Sequence, residues 1–379
     1  MSNARPVLIM AGGTGGHVFP ALAVADELKT RGVPVVWLGT RAGIESRLVP
    51  QAGYPIEWMK ISGLRGKSKM TLLLAPLRIT VACWQALIVL LKIKPVAVLG
   101  MGGFASGPGG MMAWLLRKPL IVHEQNAIAG MTNKILAKFA TVVLQAFPEV
   151  FRCGITTGNP VRQAICELAV PEVRLAGRLA ADYSDDVNEG HDHDLKHNQK
   201  RIRLLVIGGS LGAVKLNEII PRSLAKIDVL QRPEVIHQTG VKNIKTAQAI
   251  YEQEGVEAKV EAFIDDMPAA YDWADLVICR AGAMTVFELA AVGIASILVP
   301  YPHAVDDHQT SNASYLEQSG AAIVRQQDKL TTGWLVDVIN DFSANRNKLL
   351  EMAIAARKLS IPDSAKIIAD VCLSARGAA

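Results

Sequence analysis

The strongest constraint on the fold of this chain is an order of segments that occurs twice. Residues 7–10 (VLIM) form a short apolar run, GGTGGH follows at residues 12–17, and a helical pattern of apolar residues comes next. The run LLVI, the loop GGSLGA at residues 208–213 and a helical segment repeat this order in the second half. A strand, a glycine turn and a helix N-terminus together favour the binding of a phosphate, because backbone amides and the helix dipole point at the ligand.

Short apolar runs alternate with helical segments along most of the chain, which is typical of βαβ units and parallel sheets. Predicted strands occupy residues 7–10, 33–38, 96–99, 120–122 and 141–144, and then 202–207, 234–237, 260–264, 276–279 and 297–299. We therefore expect an α/β chain with two Rossmann-like domains that face one another across a cleft. Ligands are expected beyond the carboxyl ends of the strands.

Composition narrows the classes of protein. The chain has 379 residues, of which 50% are hydrophobic and 20% charged, so it is long enough for two globular domains. A net charge of +5 is too weak to indicate nucleic acid, and no nucleic-acid motif is found. Five scattered cysteines without a CxxC pair indicate a reducing, cytosolic compartment, and the N-terminal apolar run is too short for a signal peptide.

One stretch, LLLAPLRITVACWQALIVLL at residues 72–91, raises the question of a membrane. It is about long enough to span a bilayer, but Arg78 lies inside it and its flanks are basic. Three interpretations stay open: a core helix, a helix with an apolar face resting on an anionic membrane, and a span.

Residues 184–200 (SDDVNEGHDHDLKHNQK) are strongly polar and are predicted to be a linker or insertion between the two halves. A metal site formed by its His and Asp residues explains this segment less well than a solvated linker does, because no preceding strand would hold those residues in place.

The glycine loops do not indicate a dinucleotide. GGTGGH and GGSLGA both fail the GxGxxG pattern, and only GMGGFA, at residues 100–105, matches it. That match lies late in the first half and leaves the other two loops unexplained, so nicotinamide chemistry is disfavoured.

Polar residues follow several predicted strands. HEQNAIAG at residues 123–130 offers Glu124 and Asn126, and GNPVR at residues 158–162 offers Arg162. In the second half Glu288 lies early in a helix and Gln309 in a polar segment. Glu288 could accept two ribose hydroxyls or be an ordinary N-terminal helix acid; Gln309 suits sugar hydroxyls or belongs to a helix cap.

Seven motifs occur in one order: GGTGGH, GGFASGP, HEQNAIAG, GNPVR, GGSLGA, RAGAMTVFEL and DDHQTSNA. Over nearly the whole length the chain resembles the MurG family of peptidoglycan N-acetylglucosaminyltransferases. The resemblance implies a GT-B fold and an inverting transfer of N-acetylglucosamine from UDP-N-acetylglucosamine to the muramoyl 4-hydroxyl of lipid I, which forms lipid II for the cell wall. It also implies a peripheral location on the cytoplasmic face of the inner membrane, with no cofactor and no catalytic metal.

The resemblance assigns residues by motif. It implies donor contacts by Thr14, Gly15, Gly16, Asn126, Arg162, Ser210, Ile264, Ala283, Met284, Thr285, Val286, Phe287, Glu288 and Gln309. It implies that the acceptor side includes Gly103, Ser106 and Glu124. Phe287 departs from the small polar residue expected beside Glu288.

His17 is the candidate catalytic base, because it ends a glycine loop at a helix start in the acceptor half. The alternative is that it only contacts phosphate or backbone. Asp265, Asp266, Asp306 and Asp307 are interpreted as turn and cap residues and not as metal ligands.

We expect an N-terminal acceptor domain over residues 1–163, a linker over 164–200, a donor domain over 201–345, and C-terminal helices over 346–379 that pack back toward the first domain. Three rival functions stay open: a UDP-N-acetylglucosamine epimerase, another lipid glycosyltransferase of the same fold, and a membrane-associated nucleotide-binding scaffold.

Overall fold

A computed structural model describes residues 5–60, 75–179, 201–209 and 212–375. The chain divides into two compact units. The first unit comprises Met1–Arg162 and Ile361–Ala379, and the second comprises Gln163–Ser360. The polar segment at residues 184–200 lies outside the described residues, so the predictions made for it stay predictions.

The first unit is built on a sheet of seven parallel strands. The strands are β1 (Val7–Met10), β2 (Val35–Thr40), β3 (Ile56–Met59), β4 (Ala97–Gly100), β5 (Leu120–Glu124), β6 (Val142–Gln145) and β7 (Ile155–Thr156). Their order across the sheet is β3-β2-β1-β4-β5-β6-β7. The loops that follow β1, β4 and β5 are therefore neighbours at the carboxyl edge, where α/β sheets bind ligands.

Helices cover both faces of this sheet. They are α1 (Gly15–Thr30), α2 (Glu45–Gln51), α3 (Ala75–Ile93), α4 (Ser106–Leu115) and α5 (Met131–Leu136). Along β1, Val7 and Ile9 enter one buried cluster and Leu8 and Met10 enter another. Because successive side chains of a strand point to opposite faces, this split explains why the run is apolar at every position.

The second unit repeats the plan with six parallel strands. They are β8 (Arg203–Ile207), β9 (Glu234–Gln238), β10 (Lys259–Glu261), β11 (Leu276–Cys279), β12 (Ala295–Leu298) and β13 (Ala322–Val324), in the order β10-β9-β8-β11-β12-β13. The loops after β8, β11 and β12 therefore meet at one edge.

The helices of the second unit are α6 (Gln163–Cys166), α7 (Pro171–Leu179), α8 (Val214–Leu224), α9 (Ile244–Gln253), α10 (Met267–Trp273), α11 (Ala283–Val292), α12 (His308–Glu317), α13 (Thr332–Ala344) and α14 (Asn347–Lys358). A last helix, α15 (Ser364–Ser374), returns to the first unit, where Ile368, Ala369 and Cys372 are buried in the same cluster as β1. The helix α14 stays in the second unit, with Leu349 and Ala353 in its core.

The predicted fold class is confirmed: two Rossmann-like units with parallel sheets. All ten predicted strands are present, with ends shifted by up to three residues. Three strands were missed, namely β3, β7 and β13, and each is an edge strand of its sheet. An edge strand is covered incompletely, so β3 and β7 do not form the continuous apolar run by which central strands are found. The strand β13 is apolar throughout but only three residues long, which is shorter than the run that predicts a strand.

Candidate active site

The first glycine loop leads from β1 into α1. Gly13 has a positive φ of 87°, and Thr14 at the N-cap is extended and exposed. Gly16 is also exposed, and no acidic side chain occupies the first turn of the helix. The helix N-terminus is therefore accessible and uncompensated by any acid of its own first turn, which favours an anionic ligand.

The second glycine loop, after β4, packs directly against the first. A Cβ on Gly103 would lie 2.5 Å from the carbonyl oxygen of Gly12, and a Cβ on Gly102 would lie 2.8 Å from Cδ2 of His17. Both glycines have positive φ angles, 95° at Gly102 and 88° at Gly103. Only glycine fits both the space and the backbone conformation here, so the two loops form one continuous surface.

His17 is held by this arrangement. Its Nδ1 lies 3.2 Å from the carbonyl oxygen of Gly12 and 3.3 Å from Oγ1 of Thr14. A carbonyl oxygen only accepts, so the bond to Gly12 requires the hydrogen on Nδ1. In the neutral ring Nε2 then carries the lone pair, the arrangement that a general base needs.

Ser106, assigned above to the acceptor side, is completely buried. Its hydroxyl lies 2.9 Å from the carbonyl oxygen of Met10 and 2.8 Å from that of Gly102. It links the end of β1 to the second glycine loop, and its position supports the loop rather than presenting a hydroxyl to solvent.

A buried carboxylate missed by sequence reasoning, Glu45, organises the first loop from below. Its Oε2 accepts the Gly13 amide at 2.9 Å, and its Oε1 accepts the amide and the hydroxyl of Thr40 at 3.1 and 2.7 Å. Gly43 leaves room for it, since a Cβ there would lie 1.9 Å from Oε2. The only signal in the sequence is an acid among small residues just after a strand, which is not distinctive.

Glu124 is the last residue of β5 and Asn126 follows the strand, beside the second loop. Glu124 is 1% exposed and accepts bonds from the backbone amides of Asn126 and Gly130, both at 3.0 Å, and from the side chain of Asn133 at 2.8 Å. The Asn126 amide group itself lies 3.3 Å from the same carboxylate. Glu124 thus fixes the loop that presents Asn126.

A second buried network supports the segment leading to Arg162. Nε2 of His123 donates to the Gly158 carbonyl at 3.0 Å, and Asn159 donates to the carbonyl of Gln125 at 3.0 Å. Burial lowers the pKa of His123 to about 4, although the Gly158 bond opposes this, so the ring is neutral near pH 7. Arg162 is half-buried and ends the first unit.

In the second unit the glycine loop after β8 is built from close backbone contacts. A Cβ on Gly208 would lie 2.7 Å from the carbonyl oxygen of Gln238, and one on Gly212 would lie 2.2 Å from that of Thr239. Ser210 lies outside the described residues, so its contact stays a prediction. The loop ends at Ala213, and α8 begins at the next residue.

The run of assigned residues from Ala283 to Glu288 forms the start of α11, after β11. Met284, Thr285 and Glu288 are partly exposed and share one face, whereas Ala283, Val286 and Phe287 are buried. A small polar residue was expected at position 287. Phe287 instead stacks on Tyr315, with ring centroids 5.6 Å apart. Only the side chains of Met284, Thr285 and Glu288 are therefore placed to contact a ligand, whereas the three buried side chains pack in the core.

Glu288 is oriented by a residue that the sequence did not reveal. The hydroxyl of Tyr271, whose side chain is fully buried on α10, donates to Oε2 of Glu288 at 3.0 Å. This bond holds one carboxylate oxygen in place and thereby sets the orientation of the whole carboxylate group.

Gln309 lies on α12, after β12. Its Oε1 accepts the backbone amide of Tyr301 at 2.8 Å, which leaves the NH2 group as the donor end of the side chain. Arg280 fixes the same loop by donating to the carbonyls of Val299 and Pro300, both at 3.1 Å.

The remaining assigned positions are turns and caps. Ile264 is 6% exposed, so a ligand contact there would use the backbone. Asp266 caps α10 by accepting the Ala269 amide at 3.0 Å, and Asp307 is the N-cap residue of α12, as interpreted from the sequence. Within the described ranges no group of three His, Cys, Asp or Glu residues is arranged to hold a metal ion.

Two Rossmann-like units, each with glycine loops and polar side chains at the carboxyl edge of its sheet, define a glycosyltransferase of GT-B fold. The chain belongs to glycosyltransferase family 28: the N-terminal domain of that family matches residues 7–145, and the C-terminal domain matches residues 203–368.

Relatives of this chain agree. It is 50% identical over 380 residues to the UDP-N-acetylglucosamine–N-acetylmuramyl-(pentapeptide) pyrophosphoryl-undecaprenol N-acetylglucosamine transferase of Marinobacter nauticus, covering 99% of this chain and 98% of that protein. The crystal structure of Acinetobacter baumannii MurG superposes with a TM-score of 0.80 at 38% identity, covering 98% of this chain and 99% of that one. The UDP-GlcNAc 2-epimerase of Neisseria meningitidis, at 12% identity and a TM-score of 0.65 over 97% of this chain and all of that one, shares the fold alone.

Proposed function

We propose that this enzyme transfers N-acetylglucosamine from UDP-N-acetylglucosamine to the muramoyl 4-hydroxyl of lipid I, with inversion at the anomeric carbon, to form lipid II. The observation that carries the proposal is the match of both family domains together with 50% identity over the full length of a relative named for this reaction. The epimerase alternative has only the shared fold in its favour.

The acceptor side of the reaction falls to the first unit. The paired glycine loops offer backbone amides and the N-terminus of α1 to the diphosphate of lipid I, with Gly103 at their contact. Thr14, Gly15 and Gly16 lie on the accessible part of this surface, where they also serve as candidate contacts to the donor.

His17 is the base in this proposal. With Nδ1–H bonded to Gly12, Nε2 takes the proton of the attacking hydroxyl as the new glycosidic bond forms and the bond from the anomeric carbon to UDP breaks. The alternative role, a contact to phosphate, predicts a change in acceptor KM and not in kcat.

The donor side falls to the second unit. Glu288, oriented by Tyr271, accepts the two ribose hydroxyls, and the NH2 group of Gln309 donates to the sugar. The amides of the loop after β8, together with Ser210, neutralise the departing diphosphate. The donor contacts that the resemblance implies for Asn126 and Arg162, both in the first unit, stay predictions.

The direct test incubates the purified enzyme with radiolabelled UDP-N-acetylglucosamine and a short-chain lipid I analogue. Label recovered in a disaccharide lipid, in the presence of EDTA, is the expected result. Epimerised or hydrolysed donor without any transfer would overturn the proposal in favour of the rival enzyme.

We further propose that the first unit rests on the anionic cytoplasmic face of the plasma membrane. The helix α3 is the one helix in the described ranges that is long and apolar enough to cross a bilayer, yet only 22% of its apolar window is buried. A core helix would be mostly buried. Instead one stripe carries exposed apolar side chains at helical spacing: Leu77, Val81, Trp84, Ile88 and Leu91.

Neighbouring helices extend this apolar surface. Trp114 and Leu115 on α4 are exposed, as is Met131 on α5. Exposed cations, including Arg78 on α3 and Lys134 on α5, lie among them. Apolar groups edged by cations fit an interface with anionic lipids, and a spanning orientation would bury Arg78 at a cost of about 2.5–3.5 kcal/mol.

Vesicle sedimentation tests the membrane proposal. Replacement of Trp84 and Leu77 by Ser should reduce binding to anionic vesicles several-fold, and binding to neutral vesicles should be weak for both proteins. Leu230→Ser, an exposed apolar residue of the second unit, is the control. Equal sedimentation of all three proteins would place the membrane contact elsewhere.

A further inference from the structure

A basic pocket in the first unit is not used by the chemistry described so far. It is an open depression of about 600 Å³ at the carboxyl ends of β2 and β3, where α3 passes over them. Its wall includes three cationic side chains, Arg41, Lys60 and Arg78, together with Trp58, Gln85 and Ile88.

In the part of the chain that the structure describes, no acidic side chain pairs with the cations of this pocket. Within the described ranges Arg41, Lys60 and Arg78 take part in none of the ion pairs, and the guanidinium of Arg41 stacks over the ring of Trp58 at 4.9 Å. Gln85 accepts the Lys60 backbone amide at 2.8 Å through Oε1, so its NH2 group adds a further donor. The side chains thus offer hydrogen-bond donors and positive charge beside an aromatic face, which suits carboxylates and peptide carbonyls.

Hydrogen bonds connect the pocket to the first glycine loop. Thr40 lines it and donates to Glu45, and the same carboxylate accepts the amide of Gly13. The sheet order β3-β2-β1 puts the ends of β1 and β3 two strand spacings apart, which is about 10 Å.

We propose that this pocket binds the peptide of the acceptor through its C-terminal carboxylate. The inference rests on the proposed function, in which the muramoyl diphosphate lies at the glycine loops. A five-residue peptide attached to that sugar through its N-terminus ends in a free carboxylate and reaches about 17 Å when extended, enough to enter the pocket. Arg41 and Lys60 are expected to bind the carboxylate, and the ring of Trp58 is the surface on which the peptide packs.

The experiment uses water-soluble short-chain lipid I analogues, without vesicles, in three forms: the pentapeptide acid, its C-terminal carboxamide, and a muramoyl methylamide without peptide. Arg41→Gln, Lys60→Gln and the double variant are compared with Lys366→Gln, an exposed cation of the same unit paired with Asp363. Thermal unfolding checks that each variant is folded.

Each single substitution should raise KM for the pentapeptide acid about 3- to 10-fold, with the double variant higher still. The substitutions should not change KM for the peptide-free acceptor or KM for UDP-N-acetylglucosamine. Lys366→Gln should have the same KM values as the parent enzyme. The carboxamide should bind the parent enzyme more weakly and respond less to the substitutions.

Equal losses with all three acceptors, or no loss with any, would overturn the peptide site. Reduced sedimentation with anionic vesicles at unchanged acceptor KM would assign the cations to phospholipid headgroups and overturn it as well. Transfer to none of the acceptors by the parent enzyme would instead refute the proposed function itself.

Discussion

Replacing Glu45 by Gln tests whether the buried carboxylate holds the first glycine loop. The carboxylate accepts three hydrogen bonds, one at Oε2 and two at Oε1, in a fully buried site. Gln keeps the two bonds to Thr40 at best, and its NH2 group then faces the amide of Gly13, donor against donor. One charge-assisted bond is lost, at about 1.5–3 kcal/mol, and a buried amide is left without an acceptor, at about 1–3 kcal/mol.

The expected destabilisation is therefore about 2.5–6 kcal/mol, a large share of the 5–15 kcal/mol that folded domains typically have. At roughly 2–4 °C per kcal/mol for a unit of this size, it lowers Tm by about 5–24 °C. Because the loop carries the proposed acceptor site, acceptor KM should rise.

Scanning calorimetry and steady-state kinetics measure the two effects. Glu57→Gln is the matched control, because that side chain forms an exposed pair with Lys92 at 2.7 Å and should cost less than about 1 kcal/mol. If Glu45→Gln unfolds at the same temperature as Glu57→Gln, the carboxylate does not support the loop.

Three further predictions follow from other parts of the structure. His17→Ala should lower kcat about 10²–10⁴-fold if the ring is the base, and a change confined to acceptor KM would leave it a phosphate contact. Gly103→Ala should destabilise the first unit by more than about 2 kcal/mol and slow transfer, whereas Gly32→Ala, with φ +70° and nothing near its Cβ, should cost only about 1–2 kcal/mol; equal effects in calorimetry would contradict the contact between the loops. Burial lowers the pKa of His123 to about 4 and that of His237 to about 3, so the unfolded chain binds more protons below pH 6.5; the free energy of unfolding should fall as the pH drops from about 6.5 to 4, and urea titrations of His237→Gln should show a shallower fall.

The sequence predicted the central strands well, because their signal is local. β1, β8 and β11 are buried at nearly every position, and complete burial on both faces requires an unbroken apolar run. The edge strands β3 and β7 were missed because most of their residues are partly or fully exposed, and what makes them strands is pairing with a neighbour distant in sequence.

The candidate site divides in the same way. Glycine loops after strands and the polar residues Asn126, Glu288 and Gln309 could be found from the order of segments, because a parallel sheet brings the carboxyl ends of its strands to one edge. Their supporting groups could not be found. Glu45, Tyr271 and Arg280 act through partners 5 to 47 positions away, and nothing in the local sequence marks those contacts.

The sequence by itself determined the two-fold α/β plan, the glycine loops and the chemical class of the ligand, since these depend on apolar periodicity and on residue types next to one another. Only the tertiary structure decided which side chains work and which pack. In the tertiary structure Ser106 and Phe287 are buried, and one stripe of α3 is exposed. Glu45 supports the first loop, and α15 packs in the first unit. Burial and hydrogen-bond partners arise from residues brought together across the chain, and that information is absent from any single segment.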